Sequence, residues 1–193
     1  MQVDYSLEAG REDPALEIPW QSDDGTCRFL DLKRHPHLVL EIPEAINSPE
    51  LSAFLSRMNA PAFSLETAKC DAWHSQEILP EEEIFGAEQK FVSYVDLIFA
   101  GEESRLSLEK HEALAKSLCR LLQRAPEMAA SVELVVRRCY YHSDPNPAAS
   151  RESASGFCLT AYVSGFGEDE ADARKCWSIA LTLLEQALVE VAR

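Results

Sequence analysis

The sequence predicts an α+β fold of two layers: an antiparallel sheet of about five to six strands carrying two to three helices on one face. Three observations lead there. Residues 63–74, 91–100, 131–142 and 157–166 alternate or run apolar at strand spacing and are rich in β-branched and aromatic side chains. Two later stretches carry apolar residues at helical spacing: Leu114, Leu118, Leu121 and Leu122, then Trp177, Leu181, Leu184, Leu188 and Val191. Finally, the order strand, strand, helix occurs in tandem, over 63–123 and over 132–193, so two ββα units from an internal duplication are expected to merge into one sheet.

Two anchors align the units. Trp73-His74-Ser75 matches Tyr141-His142-Ser143, and the stretch from Phe91 to Glu102 matches that from Phe157 to Glu168 in its spacing of Phe, Gly and Glu. Leu118 and Leu122 recur as Leu184 and Leu188 in the second alignment, so helix phase is kept along with strand phase.

The 193 residues are expected to form a single domain, which at that length removes about 70% of the unfolded chain's surface from water. Residues 1–14 mix charge with Gly10 and Pro14 and are expected as a loose N-terminal arm. Residues 15–62 are expected to hold a hairpin and a short helix. Leu16 to Gln21 and Cys27 to Leu32 flank a turn in which Gly25 can take positive φ, and Pro19 would confine the first strand to an edge. Ser48-Pro49 opens the helix, with Leu51, Phe54, Leu55 and Met58 on one face. Residues 75–90 read as an acidic connection, and 144–156 as a Pro/Ala/Ser-rich connection without an apolar anchor.

From Pro49 onward the element order resembles a permuted ferredoxin-like arrangement. In element order it is also similar to the small acidic chaperones of type III secretion systems, and the N-terminal hairpin departs from both. The resemblance implies a chaperone-like role.

A net charge of -15 opposes nucleic acid and anionic membranes, both of which require clustered cations, and suits a basic partner. No apolar run approaches the roughly 20 residues that span a bilayer, and the N-terminal residues lack a secretory pattern, so a cytoplasmic location is expected. The six cysteines show no close pairing and read as reduced residues among apolar neighbours.

Strand alternation sorts residues by face. Phe91, Val95, Leu97, Leu134, Val136, Phe157, Ala161 and Val163 fall on the side the helices should cover. The other side collects Thr67, Lys69, Asp71, Trp73, Tyr94, Asp96, Glu133, Arg137, Tyr141, Thr160 and Tyr162. Aromatics interleaved with charges of both signs suit recognition, because they give contact area at low entropy cost while the charges fix orientation. The candidate binding residues are Lys69, Asp71, Trp73, Tyr94, Asp96, Arg137, Tyr141 and Tyr162.

Glycine-rich phosphate loops, nucleophile elbows, zinc-protease helices and paired Cys-x-x-Cys are missing, so no catalytic residue and no cofactor is assigned. The first expectation is a non-enzymatic interaction protein, binding a protein partner or itself as a homodimer through the open sheet face. The alternative is a small-ligand or metal site between the repeats, with His74 and His142 as ligands and Cys70 or Cys139 nearby.

Overall fold

The computed structural model describes residues 1–22, 24–142 and 153–192. Its strands are β1 Gln2–Glu8, β2 Leu16–Ile18, β3 Leu65–Ser75, β4 Gln89–Phe99, β5 Ala130–His142 and β6 Ser153–Gly167. Its α-helices are α1 Pro43–Asn47, α2 Pro49–Met58, α3 Glu102–Arg105, α4 Leu108–Leu122 and α5 Glu170–Val191. The architecture is α+β, built on an open, mixed sheet of six strands in the order β1-β5-β6-β4-β3, with β2 also pairing β5.

The expected antiparallel sheet is corrected to a mixed one, because β1 and β2 both run parallel to β5. The loose arm is likewise corrected. Residues 2–8 form an edge strand whose Val3 is buried against the helix layer while Gln2 and Asp4 face solvent. The turn expected at Gly25 forms, with φ of 73° and a Gly25 N–H donated to the Ser22 carbonyl at 2.9 Å. Its flanks pair briefly around Gln21 and Arg28, with the Ser22 N–H donated to the Cys27 carbonyl and the Phe29 N–H to the Trp20 carbonyl, while β2 pairs with β5 instead.

The helices seal one face. α5 lies over β4, β5 and β6, α4 over β1, β5 and β6, and α2 packs on α5 and β3. Asp169 caps α5 by accepting the Asp172 N–H at 2.9 Å, and Glu170 and Asp172 oppose the positive end of the helix dipole. Ser107 caps α4 in the same way, through the Lys110 N–H. Gly165 lets α5 sit directly on β6: a Cβ there would lie 2.0 Å from the Trp177 nitrogen. Trp177 is thereby fully buried, tilted against Phe91 at 4.7 Å, and donates its indole N–H to the Ser93 hydroxyl at 2.8 Å.

Phe91, Val95, Leu97, Leu134, Val136, Ala161 and Val163 are buried in this layer's core, and Phe157 packs against it. Thr67 is a correction. A bulge between Thr67 and Lys69 resets the alternation and turns Thr67 to the helix side, where its hydroxyl accepts from the Asn59 amide of the α2 cap at 2.7 Å.

Part of the connection expected at 144–156 lies outside the described residues, and from Ser153 the chain is already in β6.

Candidate functional site

The N-terminal segment decides how much of the second sheet face stays open. After β2 the chain leaves the β5 edge with Ile18 seated over Cys139, Cys158, Ile98 and Ala68. Trp20 then donates its indole N–H to the Ala68 carbonyl on β3 at 2.7 Å, and Lys33 donates to the Phe63 and Leu65 carbonyls at 2.6 and 2.7 Å. Residues 16–22 and 24–33 are therefore a strap across one half of the face, and they satisfy carbonyls on and just before the outer edge of β3.

The other half is laid out by register. One row of side chains runs straight across five strands as Asp71, Tyr94, Tyr162, Glu133 and Asp4. Toward the C-terminal end of β3 lies the row Trp73, Val92, Ser164, Ser131 and Gln2. Under the edge of the strap lies Lys69, Asp96, Thr160, Val135 and Ser6.

Trp73 meets Tyr94 edge-on at 6.4 Å, and Tyr94 meets Tyr162 at 5.8 Å, so three aromatic rings are joined across β3, β4 and β6. Lys69 stands 5.0 Å from the Trp20 ring and 6.0 Å from that of Tyr94, while Arg137 stands 5.5 Å from that of Tyr162.

A groove of about 530 Å³ opens over the second row and over Tyr162, Glu133 and Asp4 of the first. Its floor includes Trp73, Val92, Ser164 and Tyr162, and its rim includes Asp4 and Glu133. The far wall is the 3-10 turn Pro80–Phe85, held down by Phe85 stacked on Phe166 at 4.3 Å and by Lys90 paired with Glu82 at 2.6 Å. Trp73 is 40% exposed in this groove. A second cavity of about 530 Å³ lies between the strap and β3, lined in part by Trp20, Lys69, Cys70, Asp71 and Tyr94.

The eight predicted residues thus separate into three groups. Trp73 and Tyr162 line the groove, and Lys69, Asp71 and Tyr94 line the second cavity. Asp96, Arg137 and Tyr141 are held within the fold. Asp96 is 2% exposed and accepts the Thr160 hydroxyl at 2.5 Å. Arg137 is committed to Glu8 at 2.8 Å and to the Tyr162 hydroxyl at 2.9 Å. Tyr141 donates to the Phe157 carbonyl at 2.6 Å and packs beside Ile18.

Electrostatics follow burial. Burial pushes the Asp96 carboxyl up to about 6, against the Thr160 hydrogen bond and the nearby Arg137 and Lys69 cations. The Tyr94 phenol is raised well above its usual range by burial, then by the Asp96 and Asp71 charges. Glu133 is raised by burial and by repulsion from Glu8, with Arg137 opposing and Asp4 adding to the repulsion.

His74 and His142 do not share a site, which overturns the expectation of ligands meeting between the units. His74 pairs with Phe91, and through it with the Gly165 end of β6, whereas His142 pairs with Ser153 at the other end. That separation is about 40 Å at about 3.3 Å per residue. His74 is occupied with the Gln89 side chain at 2.8 Å, and His142 lies 3.5 Å from Glu17. Among the described residues no group of three or more His, Cys, Asp or Glu is arranged to hold a metal.

Gln2 and Asp4 are groove residues that sequence reasoning missed, although residues 2–8 alternate polar and apolar strictly. The mixture of charge with Gly10 and Pro14 in the residues that follow, and the distance to β5 in sequence, obscured that signal. Phe85 and Leu79 have no such signature, because the turn that places them has no periodicity of its own.

Compared with protein-family models, curated proteins and solved structures, the chain matches none.

Proposed function

We propose that the chain is a non-enzymatic interaction protein, chaperone-like in character, that holds a protein partner or a second copy of itself on the open sheet face. The observation that carries this reading is the joined row Trp73, Tyr94 and Tyr162, of which Trp73 is exposed, Tyr162 lines the groove and Tyr94 lines the cavity beside the strap. Connected aromatics on a rigid sheet offer contact area with little entropy to lose, while the charges around them set orientation. The six cysteines, none paired in a disulfide, support a reducing compartment such as the cytoplasm.

The test is a Tyr94→Ala, Tyr162→Ala double variant compared with wild type by affinity capture, light scattering and thermal melting. Loss of the captured partner or of self-association, with the melt still cooperative, supports the reading; unchanged capture and unchanged mass discard it.

The tandem ββα duplication belongs to the same proposal, in a permuted ferredoxin-like arrangement. It is supported by the pairing of β4 with β6, in which Val95 pairs with Ala161, Ser93 with Val163 and Leu97 with Leu159. When Phe91 is aligned with Phe157, Val95 corresponds to Ala161, and the other two pairs exchange places. A local twofold between the units requires that pattern. The aromatic-His-Ser triplets do not fit it: His74 pairs with Phe91, but Phe157 pairs with Arg138, four positions short of His142. The Phe91 anchor therefore carries the duplication without the triplets.

A further inference from the structure

We infer that the groove over Trp73, Val92 and Tyr162 takes a basic, extended segment of a partner protein, lysine or arginine alternating with apolar residues. This rests on the reading of the open face as an interaction surface and goes on to name its occupant.

Charge comes first. Five carboxylates line the groove, those of Asp4, Glu77, Glu81, Glu82 and Glu133, against one cation among its described residues, Lys90. Lys90 is already paired with Glu82. Asp4 and Glu133 pair across β1 and β5 at one end of the aromatic row, and Glu77 and Glu81 stand at the wall formed by the β3–β4 connection. Incoming cations would relieve the mutual repulsion of these groups; Glu133, raised first by burial and by Glu8 outside the groove, has Asp4 as a further repelling neighbour within it.

Shape comes second. From β3 to β1 the sheet crosses four strand spacings, about 19 Å, which an extended segment of about six residues matches at about 3.3 Å per residue. The floor combines Trp73, Val92 and Tyr162 with the hydroxyls of Ser131 and Ser164, so the segment's alternate side chains would meet aromatic and apolar surface on the β3 side, and the exposed Trp73 ring attracts a cation as well as an aliphatic chain. A small polyamine would satisfy the carboxylates and leave that floor wet. A second copy of the chain, with 33 acidic residues against 18 basic, is poorly matched to an acidic groove.

The experiment titrates the full chain with two hexapeptides, one alternating lysine with leucine and one alternating glutamate with leucine, by calorimetry and tryptophan fluorescence. The lysine peptide is expected to bind and the glutamate peptide not. The Asp4→Asn, Glu133→Gln variant should weaken the lysine peptide about tenfold, whereas Glu109→Gln with Glu190→Gln, an equal charge loss elsewhere, should change it less than about twofold. Trp73→Ala should weaken it as well.

An equal loss in the distant variant would mean unspecific attraction to an acidic protein and overturns the proposal. Equal affinity for spermidine would overturn it in favour of a small cation. If the glutamate peptide binds and Trp73→Ala still abolishes that binding, the basic occupant is wrong while the interaction face stands. If neither peptide binds and sedimentation shows a dimer that Trp73→Ala dissociates, the occupant is a second copy. If neither peptide binds and Trp73→Ala changes nothing in either assay, the occupant and the interaction face fall together.

Discussion

Thr160 donates its hydroxyl to Asp96 at 2.5 Å across β6 and β4, at a point where the carboxylate is 2% exposed. The hydrogen bond favours the charged form, and burial outweighs it, raising the group from 3.8 to about 6. Because the folded value exceeds the unfolded one, the native state holds the extra proton between about pH 4 and 6. Stability from this group is full below about pH 4 and is lost as pH rises through about 6, a loss of about 3 kcal/mol. Asp96→Asn should therefore be more stable than wild type at pH 7.5, and that advantage should shrink toward pH 4. Urea midpoints at pH 4, 6 and 7.5 measure it; an advantage independent of pH would refute the assignment.

His111 should act in the opposite sense. It is 1% exposed, lies edge-on to Phe99 at 4.9 Å, and its Nδ1 is 2.8 Å from the Ser107 carbonyl, so Nδ1 carries the proton of the neutral ring. Burial holds the imidazole below its usual 6.5. A depressed folded value means stability is present above about pH 6.5 and lost as pH falls below it. His111→Gln should flatten that part of the profile, which thermal melts of both proteins at pH 5 and 7 will show.

Gly165 and Gly101 form a matched pair. Alanine at 165 would place Cβ 2.0 Å from the Trp177 nitrogen and 2.3 Å from the Ala173 carbonyl oxygen, both backbone atoms that cannot swing aside. Gly165→Ala should cost at least about 3 kcal/mol, while Gly101→Ala, with its nearest neighbour at 3.9 Å, should change stability by less than about 0.5 kcal/mol. Comparable losses in the two would contradict the close seating of α5 on β6.

Ile18 is the strap's anchor. Ile18→Ala should cost about 2 kcal/mol and, more specifically, should open Cys139 and Cys158, both fully buried beneath it, to thiol reagents. Maleimide labelling followed by peptide mapping reads this directly. Labelling that spares Cys139 and Cys158 in wild type and variant alike, and reaches no thiol beyond Cys27 and the partly exposed Cys70 and Cys176, would mean that the strap is held elsewhere.

The parts legible in the sequence are those governed by local periodicity. β4, β5 and β6 are long strands that alternate or run apolar, and a period of two counted from the aligned Phe91 and Phe157 is enough to place their helix-facing residues, from Phe91 to Val163. The bulge that turns Thr67 inward has no signature among its own residues, and it depends on the Asn59 cap eight positions away. Parallel pairing of β1 and β2 with β5 was hidden for a different reason: partners separated by most of the chain leave no spacing rule to read. The groove was legible as a composition of aromatics and charges on one face. Its edges were not, because they are set by the strap and by the Pro80–Phe85 turn, two segments without a repeat.

The parallel pairing also orders events in time. During translation the residues of β1 and β2 emerge well before the backbone they pair with, Ser131 to Tyr141. The nascent chain therefore carries an unpaired edge strand and an exposed Ile18 until β5 clears the ribosome, so a truncated product lacking β5 has no seat for its own beginning and is prone to stick to its neighbours.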